Sequence, residues 1–159
     1  MTEYSVKHST FTLERTYAAA PAAVFAAWSD RDTKAKWFAA EDGRYSLDFR
    51  VGGTEAVHGG DGVDLVARSE SHDIVPDERI VYTTTLFTDE VLSTVSLTTV
   101  RFARDGDGTR LVLTEQGTFL DHREQPEWRM RYLENPFTLS KPVEAAAPRQ
   151  VGMAGAGNR

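Results

Sequence analysis

Apolar and polar residues alternate most persistently between Arg79 and Phe119. Three consecutive runs there, Arg79–Phe87, Leu92–Ala103 and Arg110–Phe119, are rich in Val, Leu, Thr and aromatics. Such residues suit a pleated, half-buried surface. The pattern predicts three antiparallel strands joined at Thr88-Asp89-Glu90 and at Asp105-Gly106-Asp107-Gly108, the second joint being a strong hairpin signal. Folding about it sets Phe102 opposite Leu111, Val100 opposite Leu113 and Thr98 opposite Glu115. Opposed residues share a face, so this face is apolar near the turn and acquires a carboxylate further in. The other face carries Arg101, Val112, Thr114 and Gln116 and is wetter. Val95 and Leu97 stand on odd positions while Val100 and Phe102 stand on even ones, which predicts a bulge near Thr98-Thr99.

The flanking segments read in the same way. Phe11-Thr-Leu-Glu-Arg-Thr-Tyr17 alternates with period two and predicts a first strand. Pro21 is placed as the first residue of a helix, whose apolar face is Val24, Phe25 and Trp28. Asp30 or Asp32 is positioned to cap a second short helix ending near Trp37-Phe38; Trp28 and Trp37 read as core. Strands follow at Tyr45–Arg50, Thr54–His58 and Val63–Val75, separated by Val51-Gly52-Gly53 and by Gly59-Gly60-Asp61-Gly62. Pro126 to Glu134 predicts two helical turns with Trp128, Tyr132 and Leu133 on the apolar side, stopped by Asn135-Pro136. Residues 1–135 form one domain on this reading. Residues 136–159, with their prolines, alanine triplet and glycines, read as a disordered tail.

Composition narrows the partners. The chain has 159 residues, 40% hydrophobic and 26% charged, ordinary for a globular domain. Its net charge of −6 argues against nucleic acid or an anionic membrane. The absence of cysteine removes disulfides and thiolate chemistry. A polar N-terminus (MTEYSVKHST) and an apolar run, Ala18–Trp28, too short to span a bilayer make the cytoplasm the expected compartment.

Several stretches are more specific than this order of elements. They are Pro21-Ala-Ala-Val-Phe-Ala-Ala-Trp28 with Trp37 beyond it, Phe49-Arg-Val-Gly-Gly53, Ile74-Val-Pro-Asp-Glu-Arg-Ile-Val-Tyr82 and Val100-Arg-Phe-Ala-Arg-Asp-Gly-Asp-Gly-Thr-Arg-Leu-Val-Leu-Thr114. Together, over about residues 9 to 128, the chain resembles the SRPBCC (START/Bet v-like) superfamily, and within it the branch homologous to the C-terminal domain of the heat-shock-protein-90 ATPase activator. The resemblance implies an α+β helix-grip fold: a curved antiparallel sheet of six to seven strands, two short helices after strand 1, and a C-terminal helix closing a largely apolar cavity. Relatives close that cavity with a long amphipathic helix, whereas Arg129-Met-Arg-Tyr-Leu-Glu-Asn-Pro136 looks truncated or atypical. A roof helix burying about five large side chains contributes roughly 8–15 kcal/mol gross, comparable with a domain's net stability. Three ways of covering the sheet stay open: a short roof from 126–134, a partner chain, or an ending rewritten by frameshift. The favoured expectation is a homodimer, because a bare apolar sheet face is a contact surface.

Candidate chemistry is sparse. His8, His58, His72 and His122 form no recognised ligand pair, so no metal is expected. The Asp105-Gly-Asp-Gly-Thr stretch fails as a calcium loop, since Arg110 and Gln116 occupy its sixth and twelfth positions. There is no GxSxG elbow and no phosphate-binding glycine loop, and no cofactor is implied. One constellation survives. Pairing across Pro76 sets Ile74 opposite Ile80 and His72 opposite Tyr82; pairing across the next joint brings Tyr82 near Ser96 and Thr84 near Thr94. With Thr98, Val100, Phe102, Leu111, Leu113, Glu115 and Trp128, these residues form an expected ligand-binding face, apolar with a few polar groups. Glu115, His72 and Tyr82 are the candidate proton handlers; the plainer reading of Glu115 is a carboxylate solvated or bonded to Thr98 or His72. Three functions follow as expectations. A binding protein for an apolar small molecule leads, without enzymatic activity. The alternatives are a cyclase- or aromatase-like enzyme and a co-chaperone stimulating the heat-shock-protein-90 ATPase.

Overall fold

A computed structural model describes residues 4–39, 44–59 and 62–129. Its elements run β1 (Val6–Tyr17), α1 (Pro21–Ser29), α2 (Arg31–Phe38), β2 (Tyr45–Leu47), β3 (Thr54–Gly59), β4 (Leu65–Val75), β5 (Arg79–Thr88), β6 (Val91–Asp105) and β7 (Gly108–Leu120). All seven strands join one curved antiparallel sheet in the order β1-β7-β6-β5-β4-β3-β2. This is the α+β helix-grip arrangement expected from the sequence. A single helical turn at 126–129 ends the described chain. Tyr132, Leu133 and the tail expected over 136–159 lie outside the described residues.

Short-range chemistry explains the helices. Pro21 opens α1 at its first turn, where the missing N–H costs nothing. Asp30, rather than Asp32, caps α2: its carboxylate accepts from the Thr33 backbone N–H at 2.9 Å. Both helices turn aromatics onto the concave side of the sheet. Trp28 and Trp37 meet edge to face at 5.1 Å, and Phe102 from β6 packs against Phe25 at 5.3 Å and Trp28 at 6.4 Å. With Val100, Leu111 and Leu113 these rings form the core.

The long hairpin behaves as its sequence predicts. Phe102 pairs with Leu111, Val100 with Leu113 and Thr98 with Glu115, around a tight turn in which Gly106 supplies φ +59°. Three registers differ from expectation. The pairing of β6 with β7 runs unbroken from Thr94 to Asp105, so no bulge lies near Thr98-Thr99. Val95 and Leu97 simply face outward, each 38% exposed. The β6 bulge is at Ser93, whose hydroxyl donates to the Leu86 carbonyl at 2.9 Å. The β5–β6 joint is also shorter than the sequence suggests, a two-residue turn with Asp89 and Glu90 both left-handed (φ 50° and 67°), the geometry that matches strand twist. Tighter turn and bulge together move the register by two residues, so Tyr82 faces Thr98 and Thr84 faces Ser96. On β4 a bulge at His72 leaves Ile74 opposite Ile80 as predicted, but sets Ser71, not His72, opposite Tyr82.

Gly53 closes the β2–β3 connection because a side chain there would collide with the Asp48 carbonyl, at 2.1 Å from an added Cβ. Beyond β7, Asp121 and His122 are again left-handed (φ 53° and 61°). They turn the chain back over the concave face, and the Asp121 carboxylate accepts from the Ser5 N–H at 2.8 Å to fasten the turn to β1.

Candidate functional site

Alternation along four strands puts a mixed set of side chains on the concave face beyond α1. From β7 comes Glu115, from β5 Tyr82 and Thr84, from β4 Ala67 and Ser69, and from β3 Glu55 and Val57. They surround a cavity of about 340 Å³. Val57, Leu65, Ala67, Leu86, Leu113 and Phe38 form its apolar wall; Arg129, Glu124 and His58 add further polar groups.

Two buried ion pairs hold opposite sides. Glu115 is 2% exposed. Arg129 donates to it twice, from Nε to Oε2 at 2.9 Å and from Nη2 to Oε1 at 3.2 Å, and the Thr98 hydroxyl donates to Oε1 at 3.2 Å. Burial opposes the Arg129 charge, but the charge and hydrogen bonds of Glu115, with the charge of Glu124, hold its pKa above the usual guanidinium range. On the other side Lys34 Nζ lies 2.8 Å from Glu55 Oε2, and the Tyr45 hydroxyl donates to the same oxygen at 2.5 Å. Lys34 is itself buried, its ammonium 4.6 Å from the Phe38 ring centre and 5.1 Å from that of Trp28, where ring faces replace part of its lost hydration.

Tyr82 stands between the two pairs. Burial, then the charges of Glu55 and Glu115, push its phenol well above the ordinary tyrosine value, with Arg129 only partly opposing. Tyr45 moves the same way, through burial and then the charge and hydrogen bond of Glu55. Both phenols therefore stay neutral at neutral pH; Tyr82 presents its hydroxyl to the cavity, whereas Tyr45 gives its proton to the hydrogen bond with Glu55. Three donors already occupy the Glu115 oxygens, which leaves about one lone pair free for a further hydrogen bond. The arrangement is suited to holding a polar group rather than to moving its protons.

The residues expected from the sequence separate into groups. Tyr82, Thr84, Leu113 and Glu115 line the cavity. Ser96 and Thr98 share the face but are buried beside it, at 3% and 1% exposure. Val100, Phe102 and Leu111 belong to the core under α1, because Phe25 and Trp28 occupy the space a ligand would need. Trp128 is 53% exposed: on the 126–129 turn, Arg129 takes the direction toward the sheet, and neighbouring helical positions diverge by about 100°. His72 is corrected most firmly. As the bulge residue it points to the outer face, where Nε2 lies 2.8 Å from the Thr83 hydroxyl and Nδ1 is 3.9 Å from Glu70. The proton-handling trio of Glu115, His72 and Tyr82 is therefore not assembled. Among the described residues, no cluster of three or more His, Asp or Glu could hold a metal.

Sequence reasoning missed Arg129, Glu55, Lys34 and Tyr45. One signal was available for Glu55: in Thr54-Glu-Ala-Val-His58 it shares parity with Val57, the same arrangement that singled out Glu115. No local pattern marks Lys34 or Arg129, because each finds its carboxylate across the fold.

Comparison with known proteins agrees with this geometry. The model of the family described as activator of Hsp90 ATPase homolog 1-like protein matches residues 18–132. Among solved structures, a Rhizobium leguminosarum protein is 35% identical, covering 92% of this chain and 99% of its own, with a TM-score of 0.85. Mll3558 from Rhizobium loti is 40% identical over 89% of this chain and 99% of its own, at 0.82. CV1439 from Chromobacterium violaceum is 26% identical over 86% and 96%, at 0.68. No curated protein matches.

Proposed function

For a chain that belongs to the family of activator of Hsp90 ATPase homolog 1-like proteins, we propose the binding of a small molecule, with an apolar body and a polar end, in the cavity of its sheet. The observation that supports this reading is the cavity itself. Its volume of about 340 Å³ is within the range of small-molecule sites, and an apolar wall facing a few fixed polar groups is their usual make-up. Paired in advance, Glu115–Arg129 and Glu55–Lys34 cost no further ordering when a ligand enters, and preorganisation of this kind favours affinity.

The test uses the full chain and the uncharged fluorescent apolar probe N-phenyl-1-naphthylamine, beside a Leu86→Trp variant that fills the cavity. Saturable probe binding by the native protein, lost in a Leu86→Trp protein with an unchanged circular dichroism spectrum, is the expected result. Probe binding that ignores Leu86→Trp would place the ligand elsewhere and end this reading. Native mass spectrometry of the same protein reports any retained ligand, and also tests the homodimer proposed to cover the sheet. The co-chaperone reading draws on the family's description rather than on the cavity. Faster ATP hydrolysis by the chaperone on addition of this chain would favour it.

A further inference from the structure

The charges on the cavity wall do not balance, and their imbalance bears on what the ligand carries. Three carboxylates, Glu55, Glu115 and Glu124, line it with one guanidinium, Arg129. Lys34 neutralises Glu55 from behind the wall. Arg129 gives both its hydrogen bonds to Glu115 and only its field to Glu124. His58 turns its Nδ1 away to the exposed Arg44 guanidinium, 3.3 Å distant, and pairs with none of these carboxylates among the described residues. Among the described carboxylates of the wall and the cations paired with them, one negative charge is left over.

The surplus is on Glu124. Its Oε1 accepts from the Thr94 hydroxyl at 2.6 Å, and its other oxygen has no hydrogen bond among the described residues. A second polar atom nearby is also unused. Ser96 Oγ, in a side chain 3% exposed, has no partner among the described residues. Ser96 lies two residues along β6 from Thr94 and on the same face. A buried polar atom without a partner carries a desolvation cost that a bound donor can remove.

We propose that the polar end of the ligand is a singly charged amine, primary or secondary, whose N–H groups are received by Glu124 while its apolar body lies along Val57, Ala67 and Leu86. This inference rests on the cavity being the ligand site. An amine cancels the surplus charge and supplies the donor that the free Glu124 oxygen lacks. A carboxylic acid would instead have to displace Glu115 from Arg129 inside a wall already short of positive charge, and like charges at close quarters cost affinity.

The experiment is isothermal titration of the full chain with three molecules of one shape: 3-phenylpropylamine, 3-phenylpropan-1-ol and 3-phenylpropanoate. The amine should bind at least about tenfold more tightly than the alcohol, as a charge-assisted hydrogen bond does over a neutral one, and the acid should bind weakest. Glu124→Gln should bring the amine to the level of the alcohol, and Leu86→Trp should abolish binding of both. Alcohol and amine binding equally, the acid binding best, or an amine preference that survives Glu124→Gln would each overturn the amine assignment while leaving the cavity as a ligand site. Failure of all three molecules to bind would overturn both. The ranking in the unaltered protein decides the matter even where Glu124→Gln does not fold.

Discussion

The two ends of the concave face are built from the same strands by opposite means. Toward the β6–β7 turn, Val100, Phe102 and Leu111 meet Phe25 and Trp28 with no space between them. Further along the same strands, Thr98 and Glu115 occupy the equivalent alternating positions. There α1 no longer covers the sheet, a cavity opens, and buried ion pairs take over from the packed rings of α1 and β6. The first end is held by shape and the second by charge. Close packing leaves no room for a guest, whereas paired charges can stand apart and enclose one.

The sharpest way to break this contrast is to empty the packed end. Phe102→Ala removes a ring that touches two others and should cost about 4 kcal/mol, the sum of lost transfer energy and a residual cavity. Urea denaturation should show a large fall in midpoint with an unchanged slope. A loss under about 1 kcal/mol would mean that this end is not the rigid one.

Next in size is the charged end. Arg129→Met leaves Glu115, 2% exposed, without its main partner and should cost about 3 kcal/mol, because a buried charge is stranded. Glu115→Leu combined with Arg129→Met strands nothing and should recover most of that loss. The double variant should nonetheless keep its preference for the amine, which Glu124 supplies and the self-cancelling pair does not, so stability and recognition separate at this end. If it is no more stable than Arg129→Met alone, the pair is not what holds the turn at 121–129 against the sheet.

The two ends were unequally legible in the sequence. At the packed end, the Asp105-Gly106-Asp107-Gly108 turn and strict alternation dictate the register, so Phe102 opposite Leu111 and Thr98 opposite Glu115 could be read directly. The charged end depends on contacts between distant segments. Arg129 reaches Glu115 only because Asp121 and His122 turn the chain back; both residue types favour the left-handed region more than most, but a turn after Leu120 does not by itself say where the returning chain lands. His72 was misplaced for a related reason: one bulged residue reverses the face of a side chain, and nothing in Ser69-Glu-Ser-His-Asp73 marks where the bulge falls. The outward-facing Val95 and Leu97 imitated a core phase because β-branched and aliphatic residues also suit exposed strands.

Alkaline pH probes both ends at once. Burial pushes Tyr17 up to about 12 from an ordinary value of 10.0, and Tyr45 and Tyr82 are also raised. The folded state thus keeps protons that the unfolded chain releases. The stabilisation from these tyrosines is complete below pH 10 and falls as pH rises from there through about 12 for Tyr17. Phenolate absorbance near 295 nm should show these three tyrosines ionising together with unfolding. Tyr82→Phe should reduce the alkaline loss without changing stability at pH 7. Three independent titrations in a protein that stays folded would show that the cavity admits hydroxide freely.

The smallest effect concerns the element that joins the two ends. Helix α2 contributes Trp37 to the packed side and Lys34 to the charged side, three residues apart and therefore on one face. Its N-terminus is held by Asp30, which accepts from both the backbone N–H and the hydroxyl of Thr33. Asp30→Ala should cost about 1 kcal/mol, and Asp30→Asn appreciably less, because the amide oxygen still accepts. If α2 is one rigid lever, loosening it should weaken both ends in proportion: amide exchange should speed up around Trp37 and Lys34 alike, and ligand affinity should fall with stability. Faster exchange confined to Lys34 would instead mean that the packed end holds α2 unaided, and that the charged end is a dependent of the fold rather than one of its supports.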